Sequence, residues 1–205
     1  VVKLSIGYFA DGPWSHKAFK RLITDSKILI EFVCVRFDTE DKTLKQYCEQ
    51  YNIDYLKDKN INSADFIEKL SKYHCDLFVS MSFNQIFKKE IINITKYNII
   101  NCHAGKLPFY RGRNILNWVL INDEKEFGIT VHYVDEGIDT GDIILQDVHP
   151  IEDTDDYSTL LLKAYTECAA ILYRAVCLFK NGEVKGKKQK DIHPVGFYCT
   201  QRKVG

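Results

Sequence analysis

The sequence predicts an α/β fold: an open, mostly parallel, twisted sheet with helices on both faces and a short C-terminal extension. Two observations predict it. Apolar, β-branched runs alternate with helix-period segments through the first hundred residues. The strands are joined by helical crossovers, which means parallel pairing with helices above and below the sheet.

The elements follow in order. Val2–Phe9 is an apolar run ending in the turn-forming Ala10-Asp11-Gly12-Pro13, and His16–Ile23 carries Ala18, Phe19, Leu22 and Ile23 at helical spacing. Ile28–Val35 is a second strand, Leu44–Tyr51 a helix, Asp54–Leu56 a brief strand and Ala64–Leu70 a helix. Leu77–Ser80 and Asn98–Cys102 follow as buried strands. Beyond residue 126 the pattern changes: Gly128–Asp135 and Ile143–Val148 are strand-like, with a Gly-rich loop between them and no room for a helix. Thr154-Asp155-Asp156 starts a long amphipathic helix, acidic residues beside the positive end of its dipole, and Asn181-Gly182 stops it. The predicted division is a catalytic domain over 1–182 and an extension over 183–205. Within the extension, Lys185–Lys190 (KGKKQK) reads as a solvated basic connector.

Composition excludes several classes. Lys plus Arg and Asp plus Glu are both 28, so no global field recruits a polyanion and a nucleic-acid partner is not expected. The seven cysteines stand singly, with no C-x-x-C pair, which argues against a disulfide framework or a zinc site and for a reducing, cytoplasmic setting. No apolar stretch reaches the roughly 18 residues of a membrane span, so no membrane partner is expected. The N-terminal segment lacks the features of a targeting peptide and reads as structure, and the missing initiator Met suggests a trimmed chain. His16, His74, His149 and His193 read as surface or loop residues, and His132 as a hydrogen-bonded structural histidine.

Chemistry concentrates in two places. In Asn101-Cys102-His103, side chains two apart on a strand share a face, at the carboxyl end of a parallel sheet where such folds place ligands. An Asn amide donates to a developing oxyanion, and an imidazole relays protons near neutral pH. The second place is the acidic, Gly-punctuated loop Asp135–Asp142, from which one carboxylate could orient the histidine. Taken singly, each has an ordinary reading: a satisfied histidine at a strand end, and a turn.

The run Asn101-Cys-His-Ala-Gly-Lys-Leu-Pro-Phe-Tyr-Arg-Gly112 resembles the first signature of the 10-formyltetrahydrofolate-dependent formyltransferases, and Val134–Asp142 resembles their second. Asn101 and Asp139 stand at the separation of that family's triad. Ala104 and Gly105 depart from the Pro and Ser common there. The resemblance implies a triad of Asn101, His103 and Asp139, N10-formyltetrahydrofolate as co-substrate, and no metal. It implies a pterin slot formed by Met81, Ser82, Phe83, Asn84, Gln85 and Ile86 on one side and Asp135, Glu136, Gly137 and Asp139 on the other. Core packing remains an equal reading of Met81, Phe83 and Ile86.

The substrate is read by difference. Asp11-Gly12-Pro13-Trp14 does not match the phosphate loop of glycinamide ribonucleotide formyltransferases, and the chain ends before the β-barrel domain of methionyl-tRNA formyltransferases. The expected activity is therefore transfer of formyl to a dTDP- or UDP-linked amino-deoxysugar, for surface polysaccharide such as O-antigen. A phosphoribosylglycinamide formyltransferase and a formyltetrahydrofolate hydrolase are the alternatives, and a non-catalytic folate- or nucleotide-binding module fits poorly with a retained triad. Candidate substrate contacts are Gly12, Trp14, Lys106, Tyr110, Arg111, Arg113 and Trp118, each equally readable as structural or solvated. Small molecules are the expected partners, and a homodimer is left open.

Overall fold

A computed structural model describes residues 3–202 of the chain. Its elements, in chain order, are β1 (Leu4–Ala10), α1 (Gly12–Ile23), β2 (Ile28–Val35), α2 (Lys42–Tyr51), β3 (Asp54–Lys57), α3 (Ala64–Ser71), β4 (Leu77–Met81), α4 (Lys89–Ile92) and β5 (Ile99–His103). They continue with β6 (Arg111–Gly112), α5 (Ile115–Ile121), β7 (Glu126–Tyr133), β8 (Ile143–Pro150), α6 (Tyr157–Phe179) and β9 (Tyr198–Cys199). A 3-10 turn spans Gln189–Asp191.

Seven strands form one sheet in the order β3-β2-β1-β4-β5-β7-β8, parallel from β3 to β5 and antiparallel across β7 and β8. The expected mostly parallel α/β sheet is the observed one. Its faces bury two separate cores. On one, Ile6, Tyr8, Ile30, Val33 and Val79 pack under α1, α2, α5 and α6. On the other, Phe9, Phe32 and Phe78 pack under α3 and α4, with Phe66, Leu70, Ile91 and Ile92. Both faces being covered explains why β1, β2 and β4 are largely apolar rather than alternating. Gly7 lies where β1 meets an aromatic cluster: a Cβ there would sit 2.3 Å from the Phe32 ring. That space lets Phe9 take edge-to-face contacts with Phe32 and Phe78 at centroid distances of 5.6 and 5.3 Å.

Several boundaries differ from expectation. The part of the first strand predicted at Val2 lies outside the described residues, and β1 runs on to Ala10. The segment expected as a turn at Gly12-Pro13 is already helix. Proline's fixed φ suits the first helical turn, where its missing N–H costs nothing. The long helix begins at Tyr157 behind Asp156, whose carboxylate and the Thr159 hydroxyl form a reciprocal capping box. The extension is not a free connector. Lys187 exchanges two 2.8 Å backbone hydrogen bonds with Ile143, Gln189 is 3% exposed, and β9 pairs in parallel with β6.

Two histidines also depart from the surface reading. His16 sits in α1, with Nε2 at 2.8 and 2.9 Å from the two oxygens of buried Asp41. His149 lies in β8, half-buried against the Phe127 ring.

Candidate active site

The strands β1, β4 and β5 all point their carboxyl ends at one cleft of about 630 Å³. Its walls are the loop after β4 (Ser82–Phe87), the end of β5 (Asn101–Ala104), the start of α5 and the loop joining β7 to β8 (Val134–Asp139). This is where an open α/β sheet leaves a crevice, because the chain departs from successive strands toward opposite faces.

Asn101 and His103 emerge on the same face of β5, as their spacing requires. Asp139 comes from the β7–β8 loop in the left-handed conformation, φ 54°. Its Oδ2 lies 3.5 Å from His103 Nδ1 and accepts the Gly112 N–H at 2.9 Å. Its Oδ1 lies 3.5 Å from His132 Nε2. Burial on its own would raise the Asp139 carboxyl. The positive charges that His103 and His132 carry when protonated, together with the Gly112 amide, outweigh that and hold it well below the usual carboxylate range.

The tautomer of His103 follows from its other nitrogen. Nε2 lies 2.7 Å from the carbonyl oxygen of Tyr110, which can only accept, so Nε2 carries the proton and donates. In the neutral ring the lone pair is therefore on Nδ1, beside Asp139. Gly105 makes this possible, because a Cβ there would lie 2.4 Å from the Tyr110 oxygen and 2.5 Å from His103 Nε2. The same logic applies to His132: Nδ1 donates to the Tyr133 carbonyl at 2.7 Å, leaving Nε2 to accept from Asn101 Nδ2 at 3.3 Å. His132 reaches Asn101 because β5 and β7 pair antiparallel with those two residues opposite each other. Thr130, opposite His103, holds the loop that follows β5 by donating to the Gly105 carbonyl at 2.7 Å.

The arrangement can stabilise and deprotonate. Asn101 keeps an amide N–H to offer an oxyanion, and His103 Nδ1 can take a proton to become an imidazolium paired with an ionised Asp139. Among the described residues, no group of three or more His, Cys, Asp or Glu side chains is placed to hold a metal ion.

Met81, Ser82, Phe83, Asn84, Gln85 and Ile86 line the cleft opposite Asp135, Gly137 and Asp139. Glu136 does not line it. Gln85 has its side chain engaged elsewhere, accepting from Ile61 N at 3.1 Å and donating to the Asp58 carbonyl at 2.8 Å. Met81 is buried, whereas Ile86 and Ile138, on the two loops that line the cleft, are 61% and 48% exposed.

The expected substrate contacts divide. Trp14 and Arg113 line the cleft. Lys106, Tyr110, Arg111, Trp118 and Gly12 do not, each because another group holds it. Lys106 pairs with Glu126, and the Tyr110 hydroxyl donates to Glu124 and accepts from Asn122; both residues border a separate cavity of about 180 Å³. The Arg111 guanidinium donates to the Gln189 side chain and the Val195 carbonyl, and the Trp118 indole donates to the Thr200 carbonyl at 3.0 Å. The Gly12 amide, expected as an anion contact, already donates to Asp41 Oδ2 at 2.7 Å. Cleft residues that the sequence did not single out are Arg36, Asn114, Asn117, Tyr157 and Tyr198.

Comparison with known proteins places this geometry. The methionyl-tRNA formyltransferase of Fusobacterium nucleatum subsp. nucleatum is 35% identical over 146 residues, 71% of this chain and 47% of that protein. The chain thus spans about half the length of such relatives. Glycinamide ribonucleotide transformylase 1 from Symbiobacterium toebii superposes with a TM-score of 0.78 at 21% identity, covering 91% of this chain and 95% of that one. A sugar 3N-formyl transferase, solved in the presence of dTDP and 5-N-formyl-THF, gives 0.73 at 24% identity, covering 98% of this chain and 70% of that one. These two likenesses speak for the fold. Residues 33–176 match the family described as formyl transferase, and this chain belongs to that family.

Proposed function

We propose that the chain is the catalytic unit of an N-formyltransferase that moves the formyl group of N10-formyltetrahydrofolate onto the amine of a dTDP- or UDP-linked amino-deoxysugar. The observation that carries formyl transfer is the meeting of Asn101, His103 Nδ1 and a strongly acidic Asp139 at one end of a cleft large enough for a flat ligand. Support for a pterin in the slot comes from Ile86 and Ile138, which offer exposed apolar surface beside extended or turning backbone. In the reaction, the amine attacks the formyl carbon and the carbonyl oxygen gains charge beside the Asn101 amide. His103 Nδ1 takes the proton the amine loses, and Asp139 stabilises the imidazolium. Collapse of the intermediate expels the folate nitrogen, which takes up a proton.

The sugar-nucleotide part rests on charge. A phosphate monoester would seek the amides at the start of α1, and Asp41 already occupies that position with a carboxylate. Arg113, without an ion-pair partner among the described residues, stands instead at the cleft with Trp14, Tyr157 and Tyr198, groups suited to a pyrophosphate and a base. A second reading, methionyl-tRNA as acceptor, is favoured by the 35% identity to enzymes of that name. Against it stands the balanced charge of the chain. The test is direct: formyl-folate is supplied with dTDP- and UDP-amino-deoxysugars, glycinamide ribonucleotide and methionyl-tRNA at equal concentration, and products are read by mass spectrometry. Formylated nucleotide sugar is expected, and a preference for either other acceptor overturns the substrate assignment. No helix among the described residues is long and apolar enough to cross a membrane. All seven cysteines are free, which supports the proposed cytoplasmic setting.

A further inference from the structure

We propose that Gln189, on the C-terminal segment far from the two signatures, is a positioning residue that locks Asp139 against His103, so that the segment is part of the working site. Its side chain is buried, and its hydrogen-bonding capacity is directed at the site's supports. Nε2 donates to the carbonyls of Asp139 and Gly141, both at 2.8 Å. Oε1 accepts from Arg111 Nε at 3.2 Å and Nη2 at 3.1 Å. One amide thereby ties the loop carrying the carboxylate to the strand β6 that carries the Gly112 N–H.

That strand holds the other side of Asp139, since Gly112 N donates to Oδ2 at 2.9 Å. It is itself held by the same segment: Arg111 N donates to the Phe197 carbonyl at 3.2 Å and Arg113 N to the Cys199 carbonyl at 3.1 Å. Lys187, two residues before Gln189, is paired with Ile143 immediately beyond the loop. The segment therefore grips Asp139 from its backbone and, through β6, from its carboxylate.

The loop needs such a grip. Asp139 has a left-handed backbone, φ 54°, a conformation that Asp tolerates better than most side chains but that still benefits from bonds fixing it. Loop 135–138 is exposed, and the contacts from Asp139 Oδ2 to His103 and from Oδ1 to His132 are both 3.5 Å, too long to fix the loop by themselves. A carboxylate at position 189 would fail, because two carbonyls need a donor. An apolar side chain would leave both carbonyls and the Arg111 guanidinium unpaired.

The inference rests on the formyl-transfer reading for its kinetic consequence, but not for its structural one, and the experiment separates them. Gln189→Glu, Gln189→Met and the milder Gln189→Asn are compared with the parent chain. Imidazole resonances are followed by proton–carbon NMR, and formyl transfer by the amine panel above. The expected result is displacement of the His103 and His132 signals, which both face Asp139, with those of His16 and His74 unmoved. Turnover should fall on the order of 10- to 100-fold in the Glu and Met variants, while KM for folate changes less than about threefold. Gln189→Asn, which keeps the donor on a shorter stem, should fall between and fold even if the others do not. His103 and His132 signals that superpose on the parent's in any folded variant overturn the proposal, whatever the activity. An unmoved turnover beside moved signals overturns the catalytic consequence. A parent chain that formylates none of the amines counts against the function alone.

Discussion

The carbonyl oxygen of Tyr110 accepts a 2.7 Å hydrogen bond from His103 Nε2 across the space left by Gly105. A backbone group thus decides which imidazole nitrogen is free to take a proton.

Gly105→Ala should therefore impair catalysis without touching a catalytic side chain. The new methyl would meet both partners of that bond, forcing the ring or the loop aside. Turnover should drop by about 10²-fold and stability by about 1–3 kcal/mol. Kinetics and chemical denaturation check both, and parent-like turnover would show that the Tyr110 contact does not set the reactive tautomer.

His103→Ala should lose about 10²–10⁴-fold in turnover while retaining the fold and affinity for a folate analogue. Asp139→Asn should behave alike, since it keeps the shape and removes the charge that answers the imidazolium. Titration calorimetry against a non-reactive folate, beside the rate assay, separates binding from chemistry. Substantial turnover in His103→Ala would remove His103 from the proposed role.

Asp41 joins two helix starts: Oδ2 accepts from Gly12 N at 2.7 Å, Oδ1 from Leu44 N at 2.9 Å, and His16 completes the site. Burial works against its charge, but these bonds prevail and leave the carboxyl below its usual value. Asp41→Ala would leave both amides and His16 unpaired, at a cost of about 2–4 kcal/mol. Denaturant unfolding reads the loss, and a change under about 0.5 kcal/mol would contradict this account.

Asp25 gives a pH-dependent test away from the cleft. Lys180, the Lys27 amide and the Tyr173 hydroxyl all bond its carboxylate and lower it from an ordinary 3.8 to about 2. A carboxyl depressed on folding adds stability that is complete above its unfolded value and disappears as pH falls through its folded one. The stability difference between the parent and Asp25→Asn should hence be flat above about pH 5 and shrink between about pH 4 and 2. A difference that is unchanged over that window would show that the ion pair contributes nothing to folding.

Much of this protein was legible because the deciding information is local. A strand covered on both faces reads as a largely apolar run without strict alternation, and β1, β2 and β4 do. Period two put Asn101 and His103 on one face, and the resemblance added Asp139; the structure brings the three together. Residues next to a motif were a poorer guide. Lys106, Tyr110 and Arg111 follow His103 closely, yet the chain turns away there and Glu126, Glu124 and Gln189 hold them.

The sequence by itself determined the layered α/β fold, the cleft at the carboxyl ends of the strands and the shared face of Asn101 and His103 within it. Tertiary structure alone decided what those residues can do. Whether His132 is inert or holds Asn101 depends on the register of β5 against β7, and shifting that register by one residue would turn His132 to the other face. Gln189 sits in a basic run that reads as a solvated connector, and it reaches Asp139 because the segment folds back, Lys187 onto Ile143 and β9 onto β6. Periodicity is a property of neighbours along the chain. Hydrogen bonds between distant segments depend on where the whole fold delivers them, so no local pattern could announce them.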